Sequence, residues 1–230
     1  DAPTRAPSSE EAPLEGQALL RVLFEPRSRE ALRGAMRGVE AALARGAALP
    51  LVSVVAYAER LVRDGAVGEA FATLRTGPTG EAIEAAKASG EVSSRDVAEA
   101  CVVAAEVARR RGDPDEATGL AKVVEGSHPG GATELRSRAR AVRARIAWDR
   151  GELDEAAALV EGLRPLDPYV AEVRGLVAYT WVCQGDAARV LPALSALEAA
   201  IAECTDGGLV GRLENVSGMI AHAAGEPERA

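Results

Sequence analysis

The sequence predicts an all-α fold assembled as a row of helical hairpins, and three observations carry that expectation. A short phrase recurs: Gly65-Ala-Val-Gly-Glu-Ala70, Gly112-Asp-Pro-Asp-Glu-Ala117, Gly151-Glu-Leu-Asp-Glu-Ala156 and Gly225-Glu-Pro-Glu-Arg-Ala230. A fifth copy, Gly185-Asp-Ala-Ala-Arg-Val190, ends in valine. Successive glycines lie 47, 39, 34 and 40 residues apart, a period typical of stacked helical repeats. Each glycine also follows an apolar-periodic stretch and precedes an acidic residue or proline. Glycine ends a helix by taking the left-handed conformation; carboxylates and proline suit the first turn of the next. Finally, alanine, leucine, arginine and glutamate dominate, all strong helix formers, while aromatics are only 3%.

The spacing of small residues points the same way. Seven residues before each repeat glycine stands Ala58, Ala105, Ala144, Ala178 or Gly218, and twelve residues later Ala70, Ala117, Ala156, Val190 or Ala230. Small side chains on facing helices let two backbones approach closely, so these pairs mark the expected crossing of each hairpin.

Taken in order, Asp1 to Pro13 holds three prolines among Ser, Ala and Glu and reads as a flexible linker. Residues 14–50 read as N-terminal helices preceding or capping the array: Leu14 to Phe24, then Arg29 to Arg45 behind a Ser28 cap. The repeats are expected over 51–230. Leu51 to Asp64 contains Leu51-Val-Ser-Val-Val-Ala-Tyr57, which alone reads as strand or helix. Leu51, Val54, Val55, Ala58, Leu61 and Val62 keep helical spacing, so helix is the expectation. Ala66 to Thr76 pairs with it. Gly77-Pro-Thr-Gly80 is read as a turn, and Glu81 to Ser89 as a short helix. Ser94 caps Arg95 to Arg111, and Pro114 to Glu125 follows. Thr133 to Arg150, Leu153 to Leu163, Tyr169 to Gln184, Ala187 to Glu203 and Leu209 to Ala224 complete the set. Pro129 and Pro168 are placed where each would stop the preceding second helix; Pro192 belongs near the first turn of its own. Tyr57, Met36 and Trp181 are expected in the core, Trp181 facing its own second helix. Both ends read as cut, Asp1 replacing a methionine and Gly225 to Ala230 opening a helix that is not supplied. The expectation is a segment of a longer protein whose last repeat is incomplete.

This pattern resembles the tetratricopeptide (TPR) repeat family over roughly Leu51 to Ala230. The 34-residue unit from Ser137 to Val170 fits best, with Ala144, Ala147, Gly151, Ala156 and Pro168 at the family's signature positions. Arg140, Arg143 and Arg174 depart from it, standing where the family carries large apolar residues, and the other units are longer. The resemblance implies a TPR-like α-α hairpin superhelix, an α-solenoid without strands, whose first helices line a concave groove.

Composition excludes several function classes. A net charge of −8 and a pI near 5.0 lack the basic footprint of a general nucleic-acid binder. No apolar stretch approaches the ~18–20 residues of a membrane span. Cys101, Cys183 and Cys204 are single and scattered, which is no disulfide framework, so a reducing, cytoplasmic setting is expected. His128 and His222 have no partner at a metal-binding spacing, and no phosphate loop, dinucleotide fingerprint or nucleophile elbow is present. Neither enzyme activity, cofactor nor metal is expected.

Arg136 to Arg150 holds six arginines. At 100° per residue, Leu135, Ala139, Val142 and Ile146 form the buried stripe. Arg138 and Arg145 fall within about 20° of each other on one flank, beside Trp148; Arg136, Arg140, Arg143 and Arg150 take the other. Two readings stand together: a solvated helix whose arginines pair with neighbouring Asp and Glu, or a binding face. The TPR resemblance implies a groove showing Glu59, Glu106, Arg109, Arg110, Arg138, Arg145, Trp148, Tyr179, Asn215, Met219 and His222. Its middle is basic, suited to an acidic segment or free carboxylate held by guanidinium forks, with Trp148 and Tyr179 as apolar anchors. Trp148 also reads as a hairpin-packing residue. The expected function is a non-catalytic module binding a protein or peptide partner, as scaffold or sensor arm of a larger regulatory protein. Self-association through end-to-end repeat stacking, and sensing of a small-molecule effector for a nucleotide-driven neighbour, are the alternatives.

Overall fold

The computed structural model describes residues 29–127, 133–163, 168–186, 188, 190–204 and 207–225. These residues form eleven α-helices and no strand: α1 (Arg29–Ala44), α2 (Leu51–Arg63), α3 (Val67–Arg75), α4 (Gly77–Ser89), α5 (Arg95–Arg110), α6 (Pro114–Gly126), α7 (Thr133–Asp149), α8 (Leu153–Val160), α9 (Pro168–Cys183), α10 (Val190–Glu203) and α11 (Gly207–Ala223). The all-α expectation is met. The 1–13 linker, the helix at 14–24, the Ser28 cap, His128, Pro129 and the helix expected after Gly225 lie outside the described residues.

The repeat phrase has one physical meaning throughout. Gly65, Gly112, Gly151, Gly185 and Gly225 all have φ between +79° and +96°, where a side chain would be strained. At Gly65 the amide donates to the Val62 carbonyl, and the next amide, Ala66, reaches back to Leu61. The same two bonds close α5 at Gly112 and Asp113, α7 at Gly151 and Glu152, and α9 at Gly185 and Asp186. Four repeat glycines therefore close the same Schellman motif, which satisfies carbonyls the helix would otherwise orphan, and α1 ends alike at Gly46 and Ala47. Starts are signalled as well. The Ser94 hydroxyl accepts from the Val97 amide at 3.2 Å, and the Asp113 carboxylate accepts from Glu116 at 3.0 Å, both side-chain N-caps.

Three boundaries differ from expectation. Gly77-Pro-Thr-Gly80 is the first turn of α4 rather than a free turn, with Pro78 in an N-terminal position that needs no amide donor. Gly80 is required there, since a Cβ would stand 2.5 Å from the Arg75 carbonyl oxygen. The helix α8 stops at Val160, short of Leu163, because Gly162 turns left-handed (φ +72°). Pro168 therefore opens α9 instead of stopping α8.

Hairpins α2–α3, α5–α6, α7–α8 and α9–α10 pack internally, and each second helix also touches the next first helix. The first helices contact one another in sequence: α2 to α5, α5 to α7, α7 to α9, α9 to α11. The extra helix α4 packs on α3, α5 and α6, which accounts for the 47-residue interval. Ala58, Ala70, Ala105, Ala117, Ala144 and Ala156 are fully buried, as backbones in close contact require.

The core divides into three apolar clusters: α1 through α7, then α7 to α9, then α9 to α11. Trp148 touches the second and the third and so joins them. Tyr57 is buried and Met36 half-buried in the first. Trp181 is half-buried and packs against the α7–α9 cluster. No described helix is long and apolar enough to cross a membrane.

Candidate functional site

Side chains of α2, α5, α7, α9 and α11 line a groove of about 620 Å³, counting the part open to solvent. Valines 62, 102, 103, 142 and 173 supply its apolar wall, and charged residues at helical spacing supply the rest. Glu59 and Arg63 lie one turn apart on α2. Glu106, Arg109 and Arg110 share a face of α5 at i, i+3 and i+4. Arg138 and Arg145 repeat at seven on α7, so both point the same way.

The charges form two connected networks. In one, the Glu59 carboxylate accepts from Arg63 Nη2, Arg138 Nη2 and the Tyr169 hydroxyl, each at 3.0 Å on Oε1. Arg138 also lies over the Tyr169 ring, 4.5 Å from its centroid. This ties α2, α7 and α9 together across the groove. Burial by itself would push the Glu59 carboxyl up. The charges of Arg138 and Arg63 and the bonds from Arg63 and Tyr169 outweigh it and hold the group below its ordinary value. The same environment pushes the buried Tyr169 hydroxyl up to about 12.

The second network is a ladder of alternating sign. Arg110 Nε donates to Glu106 Oε1 at 2.6 Å, and Arg109 grips both oxygens of Glu106 at 2.9 Å. Arg109 Nη1 reaches Asp149 Oδ2 at 2.9 Å; Arg145 Nε takes Asp149 Oδ1 at 3.3 Å. Arg145 Nη1 continues to Glu172 Oε1 at 3.3 Å, and Arg212 grips the two oxygens of Glu172 through Nε and Nη2. The ladder thus runs Arg110, Glu106, Arg109, Asp149, Arg145, Glu172, Arg212, beginning and ending in arginine. Burial opposes ionisation of Glu106, but the bonds and charges of Arg109 and Arg110 bring its carboxyl down to about 2. Glu172 holds Arg212 protonated against its burial.

Of the residues the sequence singles out, Arg109, Arg110, Arg138 and Arg145 line the groove with Glu59 and Glu106. Trp148, Tyr179, Asn215, Met219 and His222 do not. The Trp148 indole donates to Thr180 Oγ1 at 2.9 Å and the Leu176 carbonyl at 3.1 Å, half-buried between hairpins, with the Arg145 guanidinium 4.8 Å over its ring. These contacts give Trp148 the hairpin-packing role that one of its two readings expects. Tyr179 packs on the α9–α11 cluster. Asn215 contacts Met219 sulfur at 3.8 Å, and His222 is exposed in the last turn of α11.

The arginines on the other flank of α7 turn away from the groove. Arg140 and Arg143 pair with Glu125 of α6, and Arg150 with Asp115. Arg174 likewise finds polar partners, donating to the Val160 and Leu163 carbonyls, which explains how arginine is tolerated at an expected apolar position.

Four polar groove residues escape sequence reasoning: Arg63, Tyr169, Glu172 and Arg212. Arg63 and Arg212 had a signal: Arg63 sits one turn from Glu59, and Arg212 shares the α11 face of Asn215 and Met219. Tyr169 and Glu172 had none, because their partners are remote in sequence. Among the described residues no cluster of His, Cys, Asp and Glu could hold a metal ion. Cys101 is buried, and burial pushes its thiol up to about 12, an unreactive state. No protein-family model matches the chain, and no curated protein or solved structure is detectably similar to it.

Proposed function

We propose that the chain is a TPR-like, non-catalytic binding module that receives an acidic group of a protein or peptide partner in this groove. The observation that carries the reading is the charge ladder. It begins and ends in arginine and lines one groove, in a chain whose net charge is −8. Guanidinium groups already fixed by carboxylates are preorganised, so less side-chain freedom is lost when a ligand carboxylate arrives. The shared helix ends and the row of first helices support the repeat reading. In this picture the chain is the scaffold or sensor arm of a larger cytoplasmic regulatory protein.

The test is titration with a fluorescein-labelled hexaglutamate peptide. Binding is expected for the wild type and for Arg140→Glu, whose arginine lies on the α6 side, and at least a tenfold loss for Arg145→Glu. Equal loss in both variants, or no binding at all, removes the groove as the site. A second reading, a small-molecule effector, draws on the lining of the groove, where valines stand beside several charged side chains, the mixed composition of small-ligand sites.

A further inference from the structure

The ladder does not use all of its donors. Arg110 spends Nε on Glu106 and Nη1 on the Val62 carbonyl at 3.1 Å. Arg145 spends Nε on Asp149 and Nη1 on Glu172. Arg212 spends Nε and Nη2 on Glu172. Among the described residues, Nη2 of Arg110, Nη2 of Arg145 and Nη1 of Arg212 carry no hydrogen bond. All three residues line the same groove, from three different helices: α5, α7 and α11. Their side chains are 26%, 24% and 35% exposed, and none of the three nitrogens is a buried unpaired atom, so a ligand entering the groove can reach them.

We infer that the groove is built for a phosphate monoester dianion, bridged by Arg110, Arg145 and Arg212. This deepens the acidic-partner reading and rests on it. The number and placement of donors select the ligand. A carboxylate presents two oxygens in one plane, which a single guanidinium fork satisfies. A phosphate monoester presents three terminal oxygens in three directions, with close to two negative charges above its second pKa near 6. Three arginines on three helices that line one groove have one donor to offer to each of three oxygens. Glu106, Asp149 and Glu172 act as positioning residues. Glu106 holds Arg110 through Nε, Asp149 holds Arg145 through Nε, and Glu172 holds Arg145 through Nη1 and Arg212 through Nε and Nη2. Glu172 contacts both Arg145 and Arg212 through one oxygen, Oε1, so those two guanidinium groups are held side by side.

The experiment compares four ligands by calorimetry with the chain at pH 7.5: inorganic phosphate, acetate, and blocked Gly-X-Gly tripeptides with phosphoserine or glutamate at X. Phosphate and the phosphoserine peptide are expected to bind at least tenfold tighter than acetate and the glutamate peptide. Arg212→Gln is expected to lose at least tenfold toward both phosphate ligands, while Arg140→Gln keeps full affinity; circular dichroism reports whether each variant is folded. The wild-type comparison needs no variant, so a misfolded Arg212→Gln leaves the test intact. At pH 5.5, where the ester has lost most of its second charge, binding should weaken several-fold. A phosphoserine peptide tighter than phosphate identifies a phosphorylated segment as the source, and equal affinities a small phosphorylated molecule. Both support the inference. Acetate and glutamate binding as tightly as phosphate overturns it. Hexaglutamate binding that depends on Arg145, without competition by phosphate, also overturns it and leaves the acidic-partner reading standing. No binding of hexaglutamate or of any of the four ligands ends both.

Discussion

Tyr169 donates its hydroxyl to Glu59 at 3.0 Å across 110 residues of sequence, from the first turn of α9 to the middle of α2. Arg138 of α7 completes the knot, bonded to the same carboxylate oxygen and stacked on the tyrosine ring. Three hairpins are thereby fixed to one another at the floor of the groove. Glu59 is 7% exposed, so its ionised carboxylate is tolerated only because two guanidinium groups and a hydroxyl surround it.

Removing parts of this knot should give unequal effects. Tyr169→Phe deletes one bond and leaves the two ion pairs, at a cost of about 1 kcal/mol. Glu59→Ala leaves Arg138 and Arg63 desolvated beside a cavity, and about 3–5 kcal/mol should be lost. In the Glu59→Ala background Tyr169→Phe should cost less than in the wild type, because the bond to Glu59 is already gone. Urea midpoints of the two single variants and the double variant measure all three. An equal effect of Tyr169→Phe in both backgrounds would show that the hydroxyl does not act through Glu59.

Acid should loosen the groove before the rest of the protein. The folded-state values of Glu59 and Glu106 lie below the ordinary 4.5, Glu106 at about 2. A carboxyl lowered by folding contributes stability that is present above its unfolded value and lost as pH falls toward the folded one. For Glu106 the window is therefore pH 4.5 to about 2, and the contribution is on the order of 3 kcal/mol. Glu99 runs the other way: burial raises its carboxyl, with the Arg138 charge opposing, so acidification relieves a small penalty. Unfolding free energies of wild type and Glu106→Gln should converge as pH drops from 7 to 3. Parallel curves would dissociate Glu106 from the acid response.

Trp148 should matter to stability more than to binding. Its indole bonds tie α7 to α9, and its ring joins two apolar clusters. Trp148→Ala removes the bonds and most of the contact, for about 3–5 kcal/mol. A variant with unchanged urea midpoint but weakened hexaglutamate binding would return Trp148 to the role of ligand anchor.

The fold was legible because it is written in local chemistry. Glycine at each hairpin turn, carboxylates after it and alanines at fixed offsets all act within one or two turns of helix, so sequence spacing reports them. The groove was legible only in part. Helical phase puts Arg138 and Arg145 on one flank of α7, while their place in a groove, with Glu106, Arg109 and Arg110, is what the TPR resemblance implies. Contacts that need tertiary distances could not be placed, which is why Tyr169 and Glu172 went unnoticed and Trp148 was given two readings. Gly77-Pro-Thr-Gly80 misleads for a different reason. Proline and glycine signal a turn, yet proline is equally at home in the first turn of a helix, and the close approach of the Arg75 carbonyl at Gly80 decides between them.

Two glycine substitutions separate backbone strain from space. Around Gly151 a Cβ would meet nothing within 4 Å, and the same holds for Gly119. They differ in conformation alone. Gly151 has φ +79° at the end of α7, whereas Gly119 lies inside α6 with ordinary helical geometry. Alanine at 151 must either adopt the left-handed region, at about 1–2 kcal/mol, or give up the Schellman bonds. At 119 it only restricts the unfolded chain and improves helix propensity, for a gain of about 0.4–1 kcal/mol. Thermal unfolding of Gly151→Ala and Gly119→Ala should therefore shift in opposite directions from the wild type. Because the same turn recurs at Gly65 and Gly112, alanine there should match the loss at 151 to within a few tenths of a kcal/mol. A gain at any of the three would mean that the left-handed end is not what stops those helices.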